Sequence, residues 1–143
     1  MFEVDQVLFG RIPTGDDVCR FDFNILEEAM KRMIKDKLGE VDVRMDAINN
    51  LPTPNCPTFV VAKTQANINA PPTVFRTYRS HQVRPSQCFV WQAARATSAA
   101  PTFFKPISID RPRPAITYID GGMGYNNPSE LALNEAKRCG QIA

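Results

Sequence analysis

The chain has 143 residues, 43% of them hydrophobic and 22% charged, which are ordinary globular values and argue against a disordered chain. Its 17 basic and 15 acidic residues leave a net charge of +2, with the basic residues scattered, so nothing in the electrostatics points to nucleic acid as a partner. The length suits one domain or part of one, and the longest clear apolar runs, such as Phe59 to Ala62, are far too short to span a bilayer.

Residues 1–21 carry weak signals. Val7-Leu8-Phe9 before Gly10 reads as a helix end or a short strand, and Thr14-Gly15-Asp16-Asp17 reads as a turn. A helix is predicted from about Ile25 to Leu38. Asn24 is a suitable N-cap with Glu27 as its box partner. Ile25, Leu26, Ala29, Met30, Met33, Ile34 and Leu38 recur at helical spacing and form one apolar stripe. Glu27 with Lys31 and Glu28 with Arg32 are favourable pairs one turn apart, and Gly39 stops the helix. The polar face mixes both signs of charge, which suits a scaffold helix packed on a sheet better than a helix lying on a membrane.

Residues 49–57, with Pro52, Pro54 and Pro57, read as a loop. Thr58-Phe59-Val60-Val61-Ala62 is a continuous β-prone run, which suits a strand buried on both faces of a parallel sheet. A second strand is expected over residues 74–79, where Val74, Arg76 and Tyr78 alternate with Phe75, Thr77 and Arg79. Ser86 is a candidate cap for a helix through Phe89, Val90, Ala93, Ala94 and Thr97, ending before Pro101. Residues 105–114, with three prolines, read as a loop. Ala115 to Ile119 reads as a third strand that runs into Asp120. Asn127 then caps a last helix, with Pro128 at its first position and Glu130 as box partner, ending near Arg138. Strands interleaved with helices predict an α/β layered sheet.

The four cysteines, Cys19, Cys56, Cys88 and Cys139, form no CxxC pair, and His81 is the only histidine that could join them, which disfavours a zinc site. Free thiols of an intracellular protein are the simpler reading, and disulfides stay open. The N-terminus has acids near its start and no basic region of a secretory signal, so a cytoplasmic or membrane-peripheral location is expected. His81 lies in a polar stretch between Arg79 and Arg84 and reads as a loop histidine rather than part of a Ser-His-Asp triad.

Two segments could carry chemistry. In Ile119-Asp120-Gly121-Gly122-Met123-Gly124, a carboxylate stands where a strand should end, the usual position of ligands in α/β sheets. Three glycines within four residues open backbone angles closed to other residues and allow close approach. Asp120 there is either a general base or a turn residue that caps local amides. A phosphate-binding glycine loop is the weaker option, because an Asp at its head would repel the anion. The second segment, Ala96-Thr97-Ser98-Ala99-Ala100-Pro101, is by itself a helix end against a crowded core.

Together, in this order and separated by a Pro-rich loop, these segments resemble the patatin-like phospholipase family. That family shows an ATSAAP-type segment, then a strand ending in Asp-Gly-Gly or Asp-Gly-Ala, followed by Asn-Asn-Pro. Here these are Ala96 to Pro101, Asp120-Gly121-Gly122 and Asn126-Asn127-Pro128. The resemblance covers about residues 20–139, is specific over 89–131, and is strongest to eukaryotic, especially fungal, members. It implies a three-layer α/β sandwich with a mostly parallel sheet, of which the C-terminal half is present. It implies hydrolysis of fatty acyl esters in phospholipids and related lipids by a serine in a GxSxG elbow, with Asp120 as base, Gly121 and Gly122 completing the motif, and no metal or other cofactor. Its partners would be phospholipid or another acyl ester, with peripheral membrane contact. The departure is that none of Ser80, Ser86, Ser98, Ser108 and Ser129 is flanked by glycines as the elbow requires, and no glycine-rich oxyanion loop precedes Asp120. Val7 to Arg11 loosely resembles the stretch just after the elbow helix. The chain alone is therefore expected to be inactive. The alternative is a non-catalytic remnant acting as an interaction module.

Overall fold

The structure is a computed structural model and describes residues 19–51, 56–79, 84–111 and 113–139. The readings made on Val7 to Arg11, on the Thr14–Asp17 turn and on His81 lie outside the described residues.

Helix α1 spans Phe23–Leu38. Its cap is Asp22 rather than Asn24, since the Asp22 carboxylate accepts the Asn24 amide at 2.8 Å and the helix starts two residues earlier than expected. Glu27 pairs with Lys31 at 2.6 Å instead of closing a capping box. Gly39 ends the helix at φ 82°, its amide bonded to the Lys35 carbonyl. Of the expected stripe Ile34 is buried, whereas Met33 is 59% exposed.

The chain then makes a 3-10 helix, Met45–Asn50, where part of a loop was expected. Four strands follow: β1 (Phe59–Thr64), β2 (Thr73–Arg76), β3 (Ile107–Ile109) and β4 (Ile116–Asp120). They form one sheet in the order β2-β1-β4-β3, and every neighbouring pair is antiparallel. This corrects the expectation of a mostly parallel sheet. β1 reads as a continuous apolar run because it is central and flanked on both sides, not because its neighbours run the same way. Short loops join β1 to β2 and β3 to β4, and such connections favour antiparallel pairing. β3 replaces part of the expected Pro-rich loop.

Helix α2 spans Val90–Thr97 and starts later than Ser86. The Ser86 hydroxyl instead accepts the Arg76 amide at 3.1 Å, and Gln92 caps the Phe89 amide at 3.0 Å. α2 packs Ala93 and Ala96 on Ala62, Ile109 and Tyr118 of the sheet, with Phe75 edge-on to Tyr118 at 5.1 Å. α1 lies against α2 through Lys31, whose ammonium stands 4.0 Å over the Trp91 ring, while the indole N–H donates to Asp42 at 3.1 Å. Arg95 is buried, its guanidinium between the rings of Phe23 and Phe104 at 5.5 and 5.6 Å and one N–H on the Lys105 carbonyl. Burial lowers its pKa, because the charged form loses hydration.

Helix α3, Ser129–Arg138, is tied to β2 by a buried ion pair. Arg76 donates to the Glu135 carboxylate at 2.5 and 2.6 Å, and the Tyr78 hydroxyl adds a third bond at 2.8 Å. These donors hold the Glu135 carboxyl down to about 2. The helix starts one residue later than expected, with Pro128 rather than Asn127 at the cap position and no side-chain cap bond, while the Asn127 side chain accepts the Ser129 amide in the turn before it. All four cysteines are free thiols. No described helix is long and apolar enough to cross a membrane.

Candidate functional site

β4 carries Ile116, Thr117, Tyr118 and Ile119, β-prone residues that fit a half-buried strand. It ends at Asp120, paired with Ala62 of β1. The two segments singled out in the sequence meet here. The Asp120 amide donates to the carbonyl of Ala99 at 3.0 Å, so the small-residue run is bonded directly to the aspartate. Ala96 and Ala99 are fully buried at this contact.

Gly121 and Gly122 follow. A Cβ on Gly121 would stand 2.4 Å from the Val61 carbonyl oxygen, so only glycine fits between β4 and β1. The Thr97 hydroxyl donates to the same carbonyl at 2.7 Å and fixes the end of α2 there. The Gly122 amide donates to Oδ1 of Asp120 at 2.8 Å. Oδ2 makes no hydrogen bond among the described residues. One oxygen thus caps the turn. Of the three glycines, only Gly124 has a left-handed φ, 110°; Gly121 answers to close approach instead. The Gly122–Tyr125 turn closes with the Tyr125 amide on the Gly121 carbonyl. Lys63, buried in β1, donates to the Ala70 carbonyl at 2.6 Å and lies 5.1 Å from the Tyr125 ring centre, tying the turn to the β1–β2 loop.

A cleft of about 340 Å³ opens beside the turn, lined by Val61, Thr97, Gly121, Gly122 and Asn126 among others. A carboxylate held on such a turn can accept a proton from a hydroxyl brought to it. The sequence reading missed Thr97 and Lys63 as parts of this arrangement. Nothing in the sequence separates Thr97 from its neighbour Ser98, and Lys63 lies just past the apolar run Phe59 to Ala62; the fold alone gives them these contacts. Among the described residues no group of three His, Cys, Asp or Glu is placed to hold a metal.

Fold and site define an α/β domain that sets an aspartate on a glycine turn at a strand end, braced by a small-residue helix terminus. The chain belongs to the patatin-like phospholipase family, whose model matches residues 17–133. It is 32% identical over 140 residues to calcium-independent phospholipase A2-gamma of Mus musculus, covering 92% of this chain and 16% of that protein. The Homo sapiens form is 33% identical over 118 residues, covering 77% of this chain and 14% of that protein. The 85/88 kDa calcium-independent phospholipase A2 of Mus musculus is 29% identical over 138 residues, covering 92% and 15%. The chain thus spans less than a fifth of the length of these relatives.

Proposed function

We propose that this chain is part of a lipid acyl hydrolase and contributes Asp120 as the general base of a serine–aspartate dyad. The substrate class is phospholipid or a related fatty acyl ester. The observation that carries the reading is the anchoring of Asp120, with its amide on Ala99 and Oδ1 on the Gly122 amide, which fixes the carboxylate at the end of the strand. In the reaction the serine hydroxyl gives its proton to the Asp120 carboxylate as its oxygen attacks the ester carbonyl. The proton passes to the departing alcohol. Water then gives a proton to the same carboxylate as its oxygen attacks the acyl-enzyme, the acyl–serine bond breaks to release the fatty acid, and Asp120 returns the proton to the serine oxygen. None of the chain's own serines sits in a GxSxG elbow, so the serine and the oxyanion donors would come from other polypeptide, and these 143 residues alone should show no turnover. In the complete domain, a three-layer sandwich, the substrate would be met at a membrane surface.

The test joins the chain to the elbow-bearing part of a patatin-like domain and follows acyl hydrolysis. Asp120→Asn keeps the shape and removes the base, so the rate should fall at least about 10²-fold. Asp110, exposed at the end of β3, is the matched control, and its Asn variant should stay active. Full activity in the Asp120 variant with loss in the Asp110 variant would overturn the assignment.

A further inference from the structure

Arg95 stands beside Ala96 and Thr97 on α2 yet lines no part of the cleft next to the Asp120 turn. It is 1% exposed. Nη2 donates to the Lys105 carbonyl at 2.6 Å, but Nε and Nη1 have no hydrogen-bond partner among the described residues. An arginine keeps its proton in a protein, so this is a buried cation with donors left unanswered. Such a group is far costlier than the same cation with a partner. The rings of Phe23 and Phe104 favour the charge but accept nothing in the plane of the guanidinium. Glu27 favours it through space, with its own carboxylate bonded to Lys31 at 2.6 Å.

The guanidinium lies where the described chain begins. The Arg20 and Phe21 amides donate to the Thr102 and Phe103 carbonyls at 2.8 and 3.0 Å, Phe21 meets the Phe104 ring at 5.8 Å, and Cys19 is near enough to act on the Arg95 charge. Residues 1–18 carry Glu3, Asp5, Asp16 and Asp17 against Arg11 alone, an acidic stretch in a chain of net charge +2. Three residues of backbone span at most about 10 Å, which keeps Asp16 and Asp17 close to Cys19 and so to the open donors. We propose that Arg95 is the docking site for the segment before Cys19, and that the Asp16–Asp17 pair supplies the carboxylate its donors lack. The contact latches polypeptide arriving from upstream onto α2, whose last residue, Thr97, bonds the Val61 carbonyl beside Gly121. This goes beyond the acyl hydrolase reading and does not rest on it.

The test is a double-mutant cycle on the full 143-residue chain, read from denaturant unfolding, so it needs no turnover. Replacing both acids, Asp16→Asn with Asp17→Asn, should raise the unfolding constant at least about tenfold while Arg95 is present, because the cation loses its partner. In the Arg95→Met chain the same replacement should raise it less than about twofold. Glu3→Gln with Asp5→Asn removes equal charge from the same segment and should show no such coupling. If the Asn variant does not fold, adding Arg95→Met should restore folding, since it removes the stranded cation. In nitrogen-correlated NMR spectra the Arg95 Nε–H should exchange with water faster in the Asn variant than in the unaltered chain. Losses that add without coupling, coupling to Glu3 or Asp5 instead, unchanged Nε–H exchange, or an unfolded Asn variant that Arg95→Met does not rescue would overturn the proposal. So would coupling that depends on protein concentration, which assigns the carboxylate to a second copy.

Discussion

The backbone amide of Asp120 donates to the backbone carbonyl of Ala99 across 3.0 Å, so the strand that ends at the aspartate and the helix end before Pro101 move as one piece. Ala99 is fully buried where they meet. Ala99→Leu should overpack this contact and cost roughly 1–3 kcal/mol, with Asp120 displaced. Ala100 is partly buried and bonded to the turn that follows, and Ala100→Leu should act in the same direction. Near-native melting temperatures for both variants would show the contact to be loose.

Gly121 permits an even smaller change. A single methyl placed 2.4 Å from the Val61 carbonyl oxygen must push β4 away from β1. Gly121→Ala should therefore lower stability by about 1–3 kcal/mol and, in a complete domain, reduce hydrolysis. Calorimetry beside a rate assay checks it, and a wild-type-like Gly121→Ala would mean that the strand spacing yields without cost.

The buried Glu135 makes stability sensitive to acid. Its carboxyl is held at about 2 in the folded chain, by Arg76 first, against about 4.3 when unfolded. The stabilisation is present in full above the unfolded value and is lost as pH falls through the interval down to about 2. Denaturant midpoints measured from pH 7 to pH 2 should drop in that window. Glu135→Gln should flatten the drop. Glu135→Ala should cost about 3–5 kcal/mol at neutral pH, because it leaves the Arg76 guanidinium buried and unpaired.

Thiol reactivity should separate the cysteines. Cys88 is buried in the core, and burial pushes its thiol up to about 12. Cys56 is exposed. Alkylation at neutral pH should modify Cys56 readily and Cys88 only on unfolding. Rapid native-state labelling of Cys88, read by mass spectrometry, would mean that the core opens.

Much of this was legible in the sequence, for local reasons. The stripe through Ile34, the turn at Gly39 and the strand running into Asp120 each follow from spacing within one element. What stayed hidden depends on partners distant in sequence. Nothing in the run Phe59 to Ala62 says whether its neighbours run with it or against it. Ile107–Ile109 is too short, beside Pro106, for an alternation to stand out from loop. Arg76 and Glu135 are 59 residues apart and look like two ordinary surface charges until the fold brings them together. The site split in the same way: the sequence pointed to Asp120 and to the alanines, but only the geometry joins them at Ala99.

The position of Trp91 gives the molecule an internal optical gauge. It is the one tryptophan of the chain, with a cation 4.0 Å above its ring from α1 and its N–H on Asp42 just beyond that helix. Its emission is therefore governed by whether α1 lies against α2, the helix whose other end braces Asp120. Separation of the two helices would remove the ammonium and release the indole to water. The separation can be followed in real time without any label.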